Sequence, residues 1–307
     1  MRPASMPKAQ TPGIAAIACL LLVGSLLALS LVLAKMAVGA GAPPLGFLLF
    51  SLAGGGAILL FISAVFLRAP VLLNRRTVEY GLVAGALFAL PNAIGFLAVR
   101  HVGAGFLSLS FAFPILITYA LALVIGLERP RVGRILGVLA GLAGGVILTV
   151  SKVQLEQGVL FWILLVMCSP VIIAVGNIYR TLRWPTGGEP IYLAALMLLA
   201  AAGLLAPFAI WVEPDMLTDL GGSTEVVLLL AAEICVFSVL YLFFFILQKL
   251  AGPVYLSQIG TVGAVVGAGL AVTLLGETLP RYIGFAAGLI AVGTLLFQLS
   301  GRHRKVG

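Results

Sequence analysis

Apolar blocks of about 20 residues, each closed by a short cluster of proline, glycine or charge, recur along the whole chain. This punctuation predicts ten spans, at 14–34, 45–66, 79–99, 103–126, 132–150, 158–178, 190–211, 226–247, 252–275 and 280–299. The breaks between them read "GAGAPP" at 39–44, "RAPVLLNRR" at 68–76, "ERPR" at 128–131, "RWPTGGEP" at 183–190 and "EPDMLTDLGGST" at 213–224. A hydrocarbon core roughly 30 Å thick is crossed by about 20 apolar residues in a helix. Backbone facing lipid must satisfy its own hydrogen bonds, which leaves helices or closed barrels. The period-2 alternation of barrel strands is absent, so the expected fold class is an all-α polytopic membrane protein.

Composition agrees. Of 307 residues, 62% are hydrophobic and 9% charged, and the mean hydropathy is +1.21. A soluble surface needs far more charge. The net charge of +8 does not point to nucleic acid, because the basic residues sit at segment ends. Cys19, Cys168 and Cys235 lie inside apolar blocks and read as small core residues, and His101 and His303 stand far apart. No metal site and no cofactor are expected. The 1–13 segment, basic and rich in proline, precedes an apolar run too long for a secretory signal, so that run reads as an uncleaved first span.

With the N-terminus placed in the cytoplasm, 14 of the 18 Lys and Arg residues fall on the inner side, Arg180 among them, and 4 on the outer side. The outer loop 212–225 carries Glu213, Asp215, Asp219 and Glu225 and no cation. This bias predicts ten spans with the 1–13 and 300–307 tails both cytoplasmic.

The two halves, 14–150 and 158–299, resemble each other. "RHVGAGFLSLS" (100–110) aligns with "KLAGPVYLSQI" (249–259), and "GLERPRVGRILGVLAG" (126–141) with "LGETLPRYIGFAAG" (275–288). Arg100 precedes Glu128 by 28 residues, and Lys249 precedes Glu277 by 28. A repeat of five spans is odd in number, so the second copy enters the membrane inverted. Inverted repeats are a mark of secondary transporters, in which two related halves rock about a site near the midplane.

These segments, with "LGETLPRYIGFAAGLIAVGTLLF" at the end of the second half, resemble the EamA-type drug/metabolite transporter superfamily over nearly the whole chain. The resemblance implies ten spans in two inverted repeats of five. It implies a carrier of small metabolites, such as amino acids or amines, rather than an enzyme.

Polar groups at membrane depth are the default site candidates, because an ionisable residue there costs at least a few kcal/mol. Glu233 stands eight residues into its span, roughly 10–12 Å deep. Asn92 lies at about the same depth, with Ser108 and Ser110 somewhat above it and Arg100 and His101 at the outer mouth. Together they would form a polar chamber in the outer half. Glu233, Phe237 and Tyr241 share one helix face at i, i+4, i+8. That stripe suits an amine, a flat metabolite or a proton relay. A carboxylate that merely bridges helices, or pairs with Arg100, is the structural alternative. Tyr119 and Gln258 are further candidates to line the path, whereas Asn177 reads as a residue that caps or snorkels. Pro91, Pro114, Pro170, Pro207 and Pro253 are expected to kink their spans. Gly133, Gly137, Gly141, Gly284 and Gly288 are expected at close helix contacts.

The reading that follows is an exporter in the bacterial inner membrane. Its partners would be a small-molecule substrate, protons through Glu233, and the lipid bilayer, in a monomer or loose homodimer. No nucleotide-binding loop is present, so an ion or solute gradient would drive it. The alternatives are a membrane enzyme or flippase-like handler of lipid carriers, resting on the acidic 213–225 loop, and a passive receptor.

Overall fold

A computed structural model describes residues 14–66, 74–111, 113–126, 130–137, 139–140, 143–144, 147, 159–276, 284–285, 288–289, 291–293 and 296. The helices are α1 (Ile14–Gly39), α2 (Pro44–Phe61, ending in a π-turn over Ile62–Phe66), α3 (Arg75–Val102), α4 (Ala104–Ser110) and α5 (Pro114–Val124). They continue as α6 (Leu160–Leu182), α7 (Pro190–Val212), α8 (Met216–Gly221), α9 (Thr224–Leu256) and α10 (Ile259–Leu275). No strand occurs among the described residues. Six helices, α1, α2, α3, α6, α7 and α9, are long and apolar enough to cross a membrane. Large apolar side chains such as Leu21, Phe61, Leu90, Phe161, Phe208, Trp211 and Leu228 stand exposed on their outer faces. Only lipid accommodates such a surface, and the chain is a helical membrane protein.

Of the span expected at 132–150, residues 132–137, 139–140, 143–144 and 147 are described and helical; most of the span expected at 280–299, and both tails, Glu128 and Glu277, fall outside the described residues. Elsewhere two expectations change. The span at 103–126 is not one helix: it breaks after Ser110, and Pro114 opens α5 instead of kinking a continuous helix. The boundary expected between 247 and 252 falls at Gly252, where the backbone leaves the helical region without a loop, and the span expected at 252–275 is broken again at Ser257–Gln258.

Both irregularities follow a glycine held where only glycine sits comfortably. Gly103 has φ 82° and ψ 155°, and Gly252 has φ 77° and ψ 179°. These two glycines occupy the same column of the 100–110 and 249–259 alignment. Non-helical backbone at membrane depth is tolerated only inside protein or beside a cavity; Gly103 is buried and Gly252 half-buried.

The helices pack closely. α2 lies along α7 and α9, α1 against α9 and α10, α3 against α6 and α7, and α4 against α10. The run "AGGG" at 53–56 is the reason α2 fits so near two neighbours. A Cβ on Gly54 would stand 2.8 Å from Ile234, on Gly55 3.1 Å from Phe237, and on Gly56 2.8 Å from Leu199. Gly24 is tighter still, since a Cβ there would overlap Val262 of α10. Gly81 and Gly85 serve α3 likewise against Leu196 and Ala200 of α7. The glycines expected to do this at 284 and 288 meet nothing within 4 Å among the described residues. Close approach is how helices gain stability in lipid, where apolar burial alone offers little.

Buried hydroxyls mostly turn back on their own helix. Ser51 donates to the carbonyl of Phe47, Ser238 to Ile234, Thr181 to Asn177 and Ser257 to Val254. Glu213, at the end of α7, does something different. Its two carboxylate oxygens accept the backbone N–H groups of Leu45 (3.1 Å) and Gly46 (2.7 Å), closing the first turn of α2. The acidic 213–225 segment is thus in part a helix cap.

Candidate functional site

A central cavity opens where both broken segments meet the long helices. It is walled by Val23 and Leu27 of α1, and by Leu87, Phe88, Pro91 and Asn92 of α3. Phe111 and Pro114 flank the α4–α5 break, and Ile173, Asn177 and Arg180 come from α6. Leu240, Tyr241, Phe244 and Leu256 of α9 complete the wall with Ser257, Ile259 and Gly260 at the second break. The free space is about 70 Å³. That exceeds the roughly 10–15 Å³ a cavity needs to hold one water, and leaves room for a few waters or one small solute.

Most of the wall is apolar or aromatic. Tyr241 sits edge-on to Phe88, ring centroids 4.7 Å apart, and edge-on to Phe237 at 5.2 Å. Asn92 stands just past Pro91, which has no N–H to offer the carbonyl of Leu87. Its side-chain Nδ2 donates to Phe88 O at 2.8 Å, which fixes the amide against its own helix.

The strongest polar group of the cavity is Arg180. Position-based counting assigns it to the cytoplasmic interface with Arg183, but it is only 3% exposed. Its Nη2 donates to Asn177 Oδ1 at 2.6 Å and its Nε to Gln248 Oε1 at 3.3 Å. Nη1 points at the sulfur of Met197, 3.9 Å away, and the guanidinium lies 5.2 Å from the centre of the Phe244 ring. Gln248 is held in turn by donating to Asn177 O (3.3 Å) and Thr181 Oγ1 (3.1 Å). Asn177, expected to cap or snorkel, is instead buried beside Arg180 in the cavity wall. Arg180 lies in the last turn of α6, where the free carbonyl ends favour a cation. No carboxylate hydrogen-bonds to it among the described residues.

Glu233 is fully buried, but not in the cavity. It accepts a hydrogen bond from Ser30 of α1 through Oε1. Its Oε2 has no partner among the described residues. Arg100 does not pair with it; Arg100 Nε donates to His101 Nε2 (3.0 Å), and the His101 ring stacks on Trp162. Tyr241 lies eight residues further along α9, about 12 Å. Phe237, buried between the two, separates the carboxylate from the cavity.

The other candidates divide. Tyr241 and Asn92 line the cavity and Phe237 backs it. Ser110 is buried with its hydroxyl on Leu107 O and is not part of the wall. Gln258 is buried between two wall residues, Ser257 and Ile259, without joining them. Tyr119 belongs with the basic segment that follows α5: its hydroxyl accepts the N–H of Arg131 (3.2 Å), and the Arg134 guanidinium lies 5.3 Å from its ring centre. The Ser108 side chain falls outside the described set. The single outer chamber expected from depth is therefore two places, a buried Ser30–Glu233 pair and a more central cavity. Cys19 is buried, with its thiol on Phe243 O, whereas Cys168 and Cys235 are exposed on outer faces and are not core residues.

No family model matches the chain, and no curated protein matches it. Among solved structures it is similar to one described only as "Crystal structure of protein", at 20% identity, with a TM-score of 0.63 over 94% of this chain and 98% of that one. That likeness extends the fold over almost the full length of both chains.

Proposed function

We propose that this chain is a secondary transporter of the EamA type in the bacterial inner membrane. It would export a small metabolite by alternating access, with Glu233 coupling transport to protons and both termini in the cytoplasm. One observation carries the reading. The cavity is walled by α1, α3 and the α4–α5 break from the first half, and by α6, α9 and the α9–α10 break from the second. In the repeat alignment these are counterparts: the first, third and fourth spans of each half. The packing supports the same two-fold relation, since α1 lies on α9 as α6 lies on α3, and α2 lies on its own counterpart α7. Breaks in the fourth span of each half, both bordering one cavity, suit two halves that rock about it.

A membrane-enzyme reading rests on the acidic 213–225 loop, and that loop's Glu213 is occupied in capping α2. The test is flux of a metabolite panel into proteoliposomes, with and without an imposed pH gradient. Flux of a panel member that follows the gradient in the wild type, and loses that dependence in Glu233→Gln, is expected. Gradient-driven flux unchanged in Glu233→Gln would remove the coupling role, and silence across the panel would contradict transport itself.

A further inference from the structure

A cation buried in a protein interior is expensive, and proteins keep one there for a counter-charge or a function. The arrangement around Arg180 supplies no counter-charge among the described residues. No Asp or Glu among the described residues hydrogen-bonds or ion-pairs with it. Glu233 is out of range. Arg180 meets α9 at Phe244 and Gln248, which stand 11 and 15 residues beyond Glu233, or about 16–22 Å along the axis. What holds the guanidinium is a set of neutral acceptors: one amide, one carboxamide on a second helix, a thioether and a ring face. These orient a cation without neutralising it. They also engage only three of its five N–H groups, which leaves two for something else.

We infer that the cavity is a site for a small monocarboxylate, whose carboxylate would pair with Arg180 beside Asn177 while its apolar remainder lies against Phe88, Tyr241 and Phe244. The charge decides the class. A single guanidinium and a single carboxylate make a neutral complex, which a low-dielectric site tolerates. A phosphate ester carries about −1.5 to −2 and would leave uncompensated negative charge in the same apolar wall. An amine would place a second cation beside Arg180, and no carboxylate among the described residues lines the cavity to receive it. The planar fork of arginine also matches a carboxylate better than a point charge would. Size agrees, since about 70 Å³ holds a solute of a few heavy atoms.

As the substrate class, this inference rests on the transport reading; as a binding site it stands by itself, and the experiment separates the two. Purified protein in detergent is heated with propionate, L-lactate or 2-oxobutyrate, with the corresponding amide of each, and with inorganic phosphate and propylamine. At least one acid is expected to raise the unfolding temperature while its amide, phosphate and propylamine do not. In Arg180→Gln the apparent affinity for that acid is expected to fall at least about tenfold, with Arg180→Lys recovering part of it. The acid–amide comparison needs only the wild type, so it remains decisive if Arg180→Gln does not fold. Stabilisation equal for acid and amide, or none by any acid, or phosphate or propylamine preferred, overturns the inference. The same compounds are then followed as labelled solutes in proteoliposomes. Binding without flux would leave the carboxylate site and refute transport, whereas flux of a neutral or cationic solute that survives Arg180→Gln would keep transport and refute the site.

Discussion

Replacing Gly252 by alanine isolates backbone strain from packing. The residue has φ 77° and ψ 179°, a conformation essentially reserved for glycine. A methyl group built there meets nothing within 4 Å, so the substitution introduces no clash among the described residues. The whole cost must come from the backbone, either as about 1–3 kcal/mol of strain or as a shift of the kink that joins α9 to the second break. As an equilibrium constant this is roughly 5- to 150-fold. Gly203 of α7 is the matched control. It is exposed, a Cβ there also meets nothing within 4 Å, and it sits inside a regular helix. Alanine at 203 is expected to be neutral or to stabilise by up to about 1 kcal/mol. The two variants should therefore differ by roughly 1–4 kcal/mol in reversible unfolding from mixed micelles. Equal stability of Gly252→Ala and Gly203→Ala would refute the strained-kink account and, with it, the argument that the break is a built feature.

Three further outcomes follow from named contacts. Ser30→Ala removes the hydrogen bond donated to the buried Glu233 carboxyl, and should destabilise the protein by about 1–3 kcal/mol in the same unfolding assay, with much of the loss absent in a Glu233→Leu background. Glu213→Ala uncaps the first turn of α2 and should cost about 1 kcal/mol, whereas breaking the exposed Lys249–Glu189 pair (3.6 Å) should cost less than that. Gly24→Val drives a branched side chain into Val262 and should cost at least about 1–3 kcal/mol, or separate α1 from α10 enough to expose Cys19 to thiol reagents.

Much of this molecule is written in the chain at the level of pattern. Apolar blocks of membrane length, and the punctuation between them, place α1, α2, α3, α6, α7 and the stretch of α9 before its kink to within about five residues. Helical spacing puts Phe237 and Tyr241 on the face that carries Glu233, and the position of Asn92 after a proline marks it for the cavity wall. Other features depend on partners that pattern cannot see. Arg180 lies at a segment end with Arg183 three residues on, and there charge counting reads every cation as interfacial. The signal that it is buried was the nearby amides, Asn177 one turn before it and Gln248 at the close of a distant apolar run. Ser30 is one hydroxyl in a long apolar run, and only the fold shows that it faces a residue 203 positions away. The cap supplied by Glu213 spans 168 positions and is equally silent in the sequence. The glycine columns are an intermediate case. Aligning the halves pairs Gly103 with Gly252, but only the backbone angles distinguish them from glycines that serve packing, such as Gly24.

The central claim, that one cavity opens alternately to the two sides of the membrane, is tested most directly by a cysteine placed at Asn92 in a variant lacking Cys19, Cys168 and Cys235. Membrane-impermeant methanethiosulfonate is applied to right-side-out vesicles and, separately, to inside-out vesicles. Modification is expected from both sides, with the rate on one side rising as the other falls when a transported solute is added. Modification from one side only, or from neither, would contradict it.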